Sequence, residues 1–329
     1  LGTLSITNGT VTYDGVNQAV FSDEYYSLTA GGGSGTKTLG GDVTVAGDFT
    51  VDTLVTTAMG GNNLTVTNAT DIDGIITIST GTVDANGTFD ATDGTITFSD
   101  AGNLTLDSTV TSLGTLSTTN GTVTYDGVDQ TVFSDEYYSL TAGGGSGTKT
   151  LGGDVTVSGD FTVDTLVTTA MGGNNLTVTN ATDIDGTLAV AGDTLTLDGA
   201  SDIDGTITIS TGTVDANGVF DATNGTITFS GVGDLTLFSM VTSLGTLSTT
   251  NGTVIYDGVN QTIFSDDYYS LTAGGGSGTK TLGGAVTVAN DLVINAGVTV
   301  DVSSSDDYSI SVGGALENNG TFSAQEGTV

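Results

Sequence analysis

The sequence predicts an all-β chain, a parallel β-solenoid with coils of about 19 to 22 residues, and three observations predict it. The first is a long repeat. TYDGVNQAVFSDEYYSLTAGGGSGTKTLGG begins at Thr12, returns with few changes at Thr124, and returns again from Ile255, so the second step is longer than the first. The second is the difference between those steps. It lies in TLAVAGDTLTLDGASDIDG, running from Thr187 to Gly205, which ends in the same DIDG that precedes it at Asp183–Gly186. One unit has been added without disturbing the sequence on either side, as expected where each coil stacks only on its neighbours. The third is composition. Thr, Val, Ile, Tyr and Phe favour strands, Gly, Asn and Asp favour turns, and Pro, which removes a ladder donor, is absent.

The elements follow in order from period-two alternation. DVTVAGDFTVDTLV, NLTVTNATDIDG, GIITIST, GTITFS and NLTLD are short runs of alternating apolar and polar residues that end at Gly, Asn or Asp. Val43, Val45, Phe49, Val51, Leu64, Val66, Ile76, Ile78, Ile96, Phe98, Leu104 and Leu106 are expected to point inward, with Thr, Ser and Asp between them facing water. The long repeats run approximately over 1–112, 113–243 (with the extra coil 187–205) and 244–329, the last partial and divergent after 285. The chain begins and ends inside the pattern, so it reads as one continuous solenoid segment of a longer array. Tandem β-sandwich domains of about 100 residues are the rival architecture. The coil-sized insert and the absence of any linker favour the solenoid.

With three Lys, no Arg and 38 Asp plus Glu, the formal charge is −35. Nothing is present to neutralise phosphates or an anionic membrane surface, which excludes nucleic acid as a partner. No apolar run reaches the roughly 20 residues that span a bilayer, and no signal peptide is visible at Leu1. Cys is absent, so disulfides and thiolate metal sites are excluded. Without His or Cys, and with nearly every Asp recurring in each copy, no catalytic constellation stands out, and the chain is read as not an enzyme.

The DIDG motifs make Asp71, Asp73, Asp183, Asp185, Asp202 and Asp204 the candidate calcium ligands, because calcium takes several carboxylate and carbonyl oxygens at once. No EF-hand loop and no RTX nonapeptide accompanies them, so turn chemistry is the expected role, structural calcium the alternative, and no other cofactor is expected. Lys37, Lys149 and Lys280 lie in the repeated GSGTKTLGG, read as an exposed Gly-rich turn, with a cross-coil pair to Asp expected and an isopeptide bond disfavoured. Each Tyr pair (Tyr25–Tyr26, Tyr137–Tyr138, Tyr268–Tyr269) should place one ring inward and one outward. GGGSG does not match a P-loop and reads as a coil corner. The many Asn-x-Thr sequons arise from composition.

The pattern GTVTYDGVxQTVFSxxYYSLTAGGGSGTKTLGGDVTVxGDFTV resembles the β-strand repeats of large secreted bacterial surface proteins, the filamentous-haemagglutinin-like and autotransporter-like adhesins. The tail VTVDVSSSDDYSISVGGALENNGTFSAQEGTV is similar to their GG-x-x-x-NNGTF rungs. The resemblance implies a right-handed parallel β-helix and an extracellular, cell-surface location, and carries no functional residues across. The expected function is that of an extracellular structural protein, a fibre, stalk or sheath that assembles with copies of itself. The alternative is an adhesin-like binding module that contacts glycans or host proteins.

Overall fold

A computed structural model of the chain describes residues 4, 7–302, 306 and 308–327. It divides into two compact units, 1–159 and 160–329. Each is a parallel β-solenoid, and among the described residues the strands pair in parallel, which excludes antiparallel β-sandwiches.

Each coil contributes three short strands, one to each of three sheets. In the N-terminal unit one coil is Phe49–Val51, Val55–Ala58 and Leu64–Val66, and the next is Thr70–Ile72, Ile75–Ile78 and Thr82–Ala85. Phe49 pairs with Thr70, Thr56 with Ile75 and Leu64 with Val83, so each coil here takes about 20 residues. Two kinds of departure stand out. The coils that bring Ser27 beside Thr10, Ser139 beside Thr122 and Ser270 beside Thr253 are shorter than these, and the one that brings Ile310 beside Val286 and Leu316 beside Leu292 is longer.

Alternation sends apolar residues into stacked interior ladders. One runs Leu64, Val83, Leu104, Val123, Leu140, and another Val66, Ala85, Leu106, Tyr125, Ala142. All twelve residues expected to point inward are buried. Ala142, above Tyr125, and Ala30, above Tyr13, leave room for the tyrosine rings. At the GGGSG corner Gly32 has φ +92° and Gly35 has φ +94°. A Cβ on either would collide with a carbonyl of the neighbouring coil, Asp14 O or Val16 O, so only glycine fits.

The insert 187–205 is one coil, with strands Thr187–Val190, Thr194–Leu197 and Ser201–Ile203. In the C-terminal unit Thr168 pairs with Thr187 and Thr187 with Thr206. The duplicated DID stacks on itself, Thr182 on Ser201, Asp183 on Asp202 and Ile184 on Ile203.

The long repeat is out of phase with the coil. From Thr10–Tyr13 to its copy Thr122–Tyr125 the chain makes seventeen strands, one short of six coils. Within the N-terminal unit the two copies therefore lie in different sheets, the first beside Ser27–Ala30 and Phe49–Val51, the second beside Asn103–Leu106 and Thr82–Ala85. In the C-terminal unit Phe161–Val163 and its counterpart Leu292–Ile294 are twenty strands apart and again occupy different sheets. The insert adds three strands, so it leaves this phase unchanged.

Candidate functional site

Three features recur with the long repeat: a buried lysine, a buried tyrosine pair and a cleft. The lysines correct the expectation of an exposed turn. Lys37, Lys149 and Lys280 are fully buried, on the strands Gly35–Leu39, Gly147–Leu151 and Gly278–Leu282. Strand parity places them there. Each lies two positions before an inward leucine (Leu39, Leu151, Leu282), so it shares that leucine's face. The parity was readable from TKTL, but the glycines before it suggested a turn. Lys37 Nζ donates to Gly15 O at 2.6 Å, and Lys149 and Lys280 donate to Gly127 O and Gly258 O. In register below each lysine is a glutamine (Gln18, Gln130, Gln261). Gln130 Oε1 accepts from Gly127 N at 2.7 Å, and its Nε2 donates to Leu106 O and Ser108 O, both at 2.8 Å. Both polar groups of the Gly127 residue are thus held by the stacked Gln and Lys, and the same clamp closes on Gly258. Burial lowers the Lys280 pKa, with Asp257 acting in the opposite sense. Since all three lysines are interior, no lysine offsets the carboxylates at the surface.

Two of the three tyrosine pairs divide as expected, and in the third Tyr269 is half-buried rather than exposed. Tyr25, Tyr137 and Tyr268 are buried, while Tyr26 and Tyr138 are exposed. Each buried ring meets an earlier tyrosine of the same repeat, Tyr13, Tyr125 or Tyr256. Phe21 N donates to Tyr13 Oη (3.1 Å) and Tyr25 Oη donates to Phe21 O (2.8 Å). The Tyr25 proton is then committed, so Tyr13 Oη donates to Tyr25 Oη across 2.9 Å. The same closed set joins Tyr125, Tyr137 and Phe133, and Tyr256, Tyr268 and Phe264. Burial pushes the Tyr125 hydroxyl up to about 12. These pairs lock the short coil of each repeat.

The calcium candidates form columns. Asp71 stacks on Asp90 in the N-terminal unit, and Asp183, Asp202 and Asp221 stack in the C-terminal unit, one coil apart. Partial burial and then the neighbouring carboxylates raise the pKa of Asp71, Asp183 and Asp202. Asp73, Asp185 and Asp204 come next in the adjoining turns, where Asp204 accepts from Asn224 Nδ2 at 3.0 Å. Among the described residues no group of three or more Asp, Glu, His or Cys is placed to hold a metal ion. Turn and cross-coil capping falls to other side chains. Asn17, Asn63 and Asp129 each accept from a backbone N–H of the next coil, at Thr36, Thr82 and Thr148.

The cleft lies where the ladder lapses. Val110–Ser112 and Thr115–Leu116 end their sheets, and Gln130–Val132 and Glu136–Tyr137 begin new ones. Between Asp107–Val110 and Val128–Thr131 this leaves a cleft of about 380 Å³. The C-terminal unit repeats it, at about 360 Å³, between Phe238–Val241 and Asn260–Thr262. Residues 103–153 and 234–284 differ at only seven positions, and three of them line the cleft: Asp107 against Phe238, Thr109 against Met240 and Asp129 against Asn260. Sequence reading passed over this region because its residue types are those of any turn in the chain.

No protein-family model, curated protein or solved structure matches the chain. The parallel β-solenoid is the kind of fold that the resemblance to β-helical repeat surface proteins implied.

Proposed function

We propose that this chain is an extracellular structural protein of the bacterial-surface kind, a fibre, stalk or sheath built from repetitive solenoid rods that assemble with copies of themselves. The observation that carries the reading is the insert, a whole coil added in register with its neighbours. Such a chain changes in length while its cross-section stays the same, which is what a spacer or fibre needs and what a single active centre does not. The reading includes no catalytic role. The anionic surface makes assembly dependent on salt or cations, because like-charged copies repel in dilute buffer.

Electron microscopy and sedimentation of the purified chain, in molar salt and millimolar calcium, test this. Filaments or laterally associated rods are expected. Monodisperse monomers under all these conditions would overturn self-assembly. A second reading, an adhesin-like module, is favoured by one observation: three of the seven differences between two nearly identical copies fall at the cleft.

A further inference from the structure

The cleft of the N-terminal unit holds an acceptor without a donor. Asp107 lines it, and no side-chain hydrogen bond engages its carboxylate: Oδ1 is shielded from solvent, which leaves Oδ2 as the oxygen a ligand can reach. The other polar groups around it divide into committed and open ones. Gln130 is fully engaged with Gly127, Leu106 and Ser108. One oxygen of Asp129 accepts from Thr148 N. The second Asp129 oxygen and the side chains of Ser108, Thr109 and Thr131 remain to face a ligand. Burial, then Asp126 and Asp84, hold the Asp107 carboxyl above the usual carboxylate range, which is the condition a bound positive charge relieves.

Several occupants can be eliminated. Another β-strand does not fit. Gln130 spans the gap with one side chain and a 2.8 Å hydrogen bond, whereas a strand between two others needs roughly 9.5 Å. An anion is repelled by a chain of charge −35 whose lysines are all interior. A divalent metal ion prefers six or more oxygens, and no group of three acidic ligands is placed to supply them among the described residues. What remains is a compact cation that brings its own donors.

We propose that the cleft between Val110–Ser112 and Gln130–Val132 is a binding site for a primary ammonium group on an alkyl chain, with Asp107 as its principal acceptor. An ammonium carries three N–H donors and a full charge, and its methylene stem can lie against the exposed side chain of Val128. A lysine side chain of another protein and a free diamine share this chemistry. The site stands apart from the fibre reading, since a chain that forms filaments without binding an amine sinks this proposal alone.

The molecule supplies its own control. In the C-terminal unit Phe238 and Asn260 replace both carboxylates, and Met240 replaces Thr109, in a cleft that is the same at its other lining positions. Phe238 also shows that Asp107→Phe is compatible with the fold. The experiment is an NMR titration of the isotope-labelled full chain with cadaverine and with N-acetyl-lysine amide, and with 1,5-pentanediol and calcium chloride as comparisons. Saturable shifts are expected at residues 107–110 and 128–131 and not at 238–241 and 259–262, with affinity weakened about tenfold or more in Asp107→Phe. Tighter binding of acetyl-lysine amide would assign the site to a protein side chain, and tighter binding of cadaverine to a free diamine. Equal shifts at both clefts, equal effects of pentanediol or calcium, or an unchanged affinity in Asp107→Phe would each overturn the proposal.

Discussion

The DIDG turn of the N-terminal unit and that of the C-terminal unit are one sequence in two contexts. In the first, Thr56 pairs directly with Ile75. In the second, the corresponding Thr168 pairs with Thr187, and only then does the chain reach Thr206, the counterpart of Ile75. The coils on either side keep their register, strand lengths and inward residues. Insertion is therefore quantised. Three strands return the chain to the sheet it left, so every coil that follows the insert keeps the partner it would have had without it, whereas a fraction of a coil leaves strands without a neighbour to pair with. The insert also lengthens the carboxylate column, from Asp71–Asp90 to Asp183–Asp202–Asp221. It places Ser201 beside Thr182 between the rings of Phe161 and Phe220, where the N-terminal unit has Thr70 alone between Phe49 and Phe89.

Deletions break this comparison most severely. Removing 187–205 should yield a folded chain whose melting temperature falls by about 5 °C or less, because one coil and one stacking interface are lost. Removing 187–197 leaves a third of a coil and should abolish cooperative unfolding in circular dichroism. Equal behaviour of the two deletions would refute quantised insertion.

The lysine clamp comes next. Lys280→Ala should cost about 3 kcal/mol in denaturant unfolding, since it opens a cavity and strands the Gly258 carbonyl. The pH dependence has a definite sign. Burial lowers the Lys280 pKa from the ordinary 10.5, so charging this lysine opposes folding. That penalty is full below the folded value and fades as pH rises towards 10.5. Relative to Lys280→Met, the native chain should gain stability between neutral pH and pH 10. A constant difference would exclude the mechanism.

The carboxylate columns give a smaller, opposite trend. Asp71, Asp183 and Asp202 are raised above 3.8, so their contribution is full below that pH and is lost as pH rises through their folded values. Thermal stability in low salt should therefore increase on acidification from pH 7 to about 4.5. The increase should shrink when 187–205 is removed, because Asp202 leaves the column.

The smallest effects concern single side chains. Leu54 and Leu166 have φ of +66° and +68° while about three-quarters exposed, and the third repeat has Gly297 at the same place. Leu54→Gly should stabilise by about 1 kcal/mol, the usual cost of holding a branched residue in the left-handed region. Thr70→Val, which removes an unpartnered buried hydroxyl, should stabilise by up to about 1 kcal/mol. Calorimetry of each variant decides, and a loss of stability would contradict the reading.

Period two, the coil-sized insert and the strand-forming composition determined the solenoid, its inward ladder residues and the inward ring of each tyrosine pair, because all of these arise from local alternation repeated along the chain. The structure decided what depends on coils meeting. Lys37 followed its glycines in sequence, but strand parity and the neighbouring coil took it inside. Seventeen strands against three per coil rotated each copy onto another sheet, a relation visible only once strands are counted in space. The cleft arises where two coils fail to pair, and no single residue announces such a failure. Local propensity sets what each segment becomes, and stacking sets which faces, carbonyls and carboxylates are left to meet.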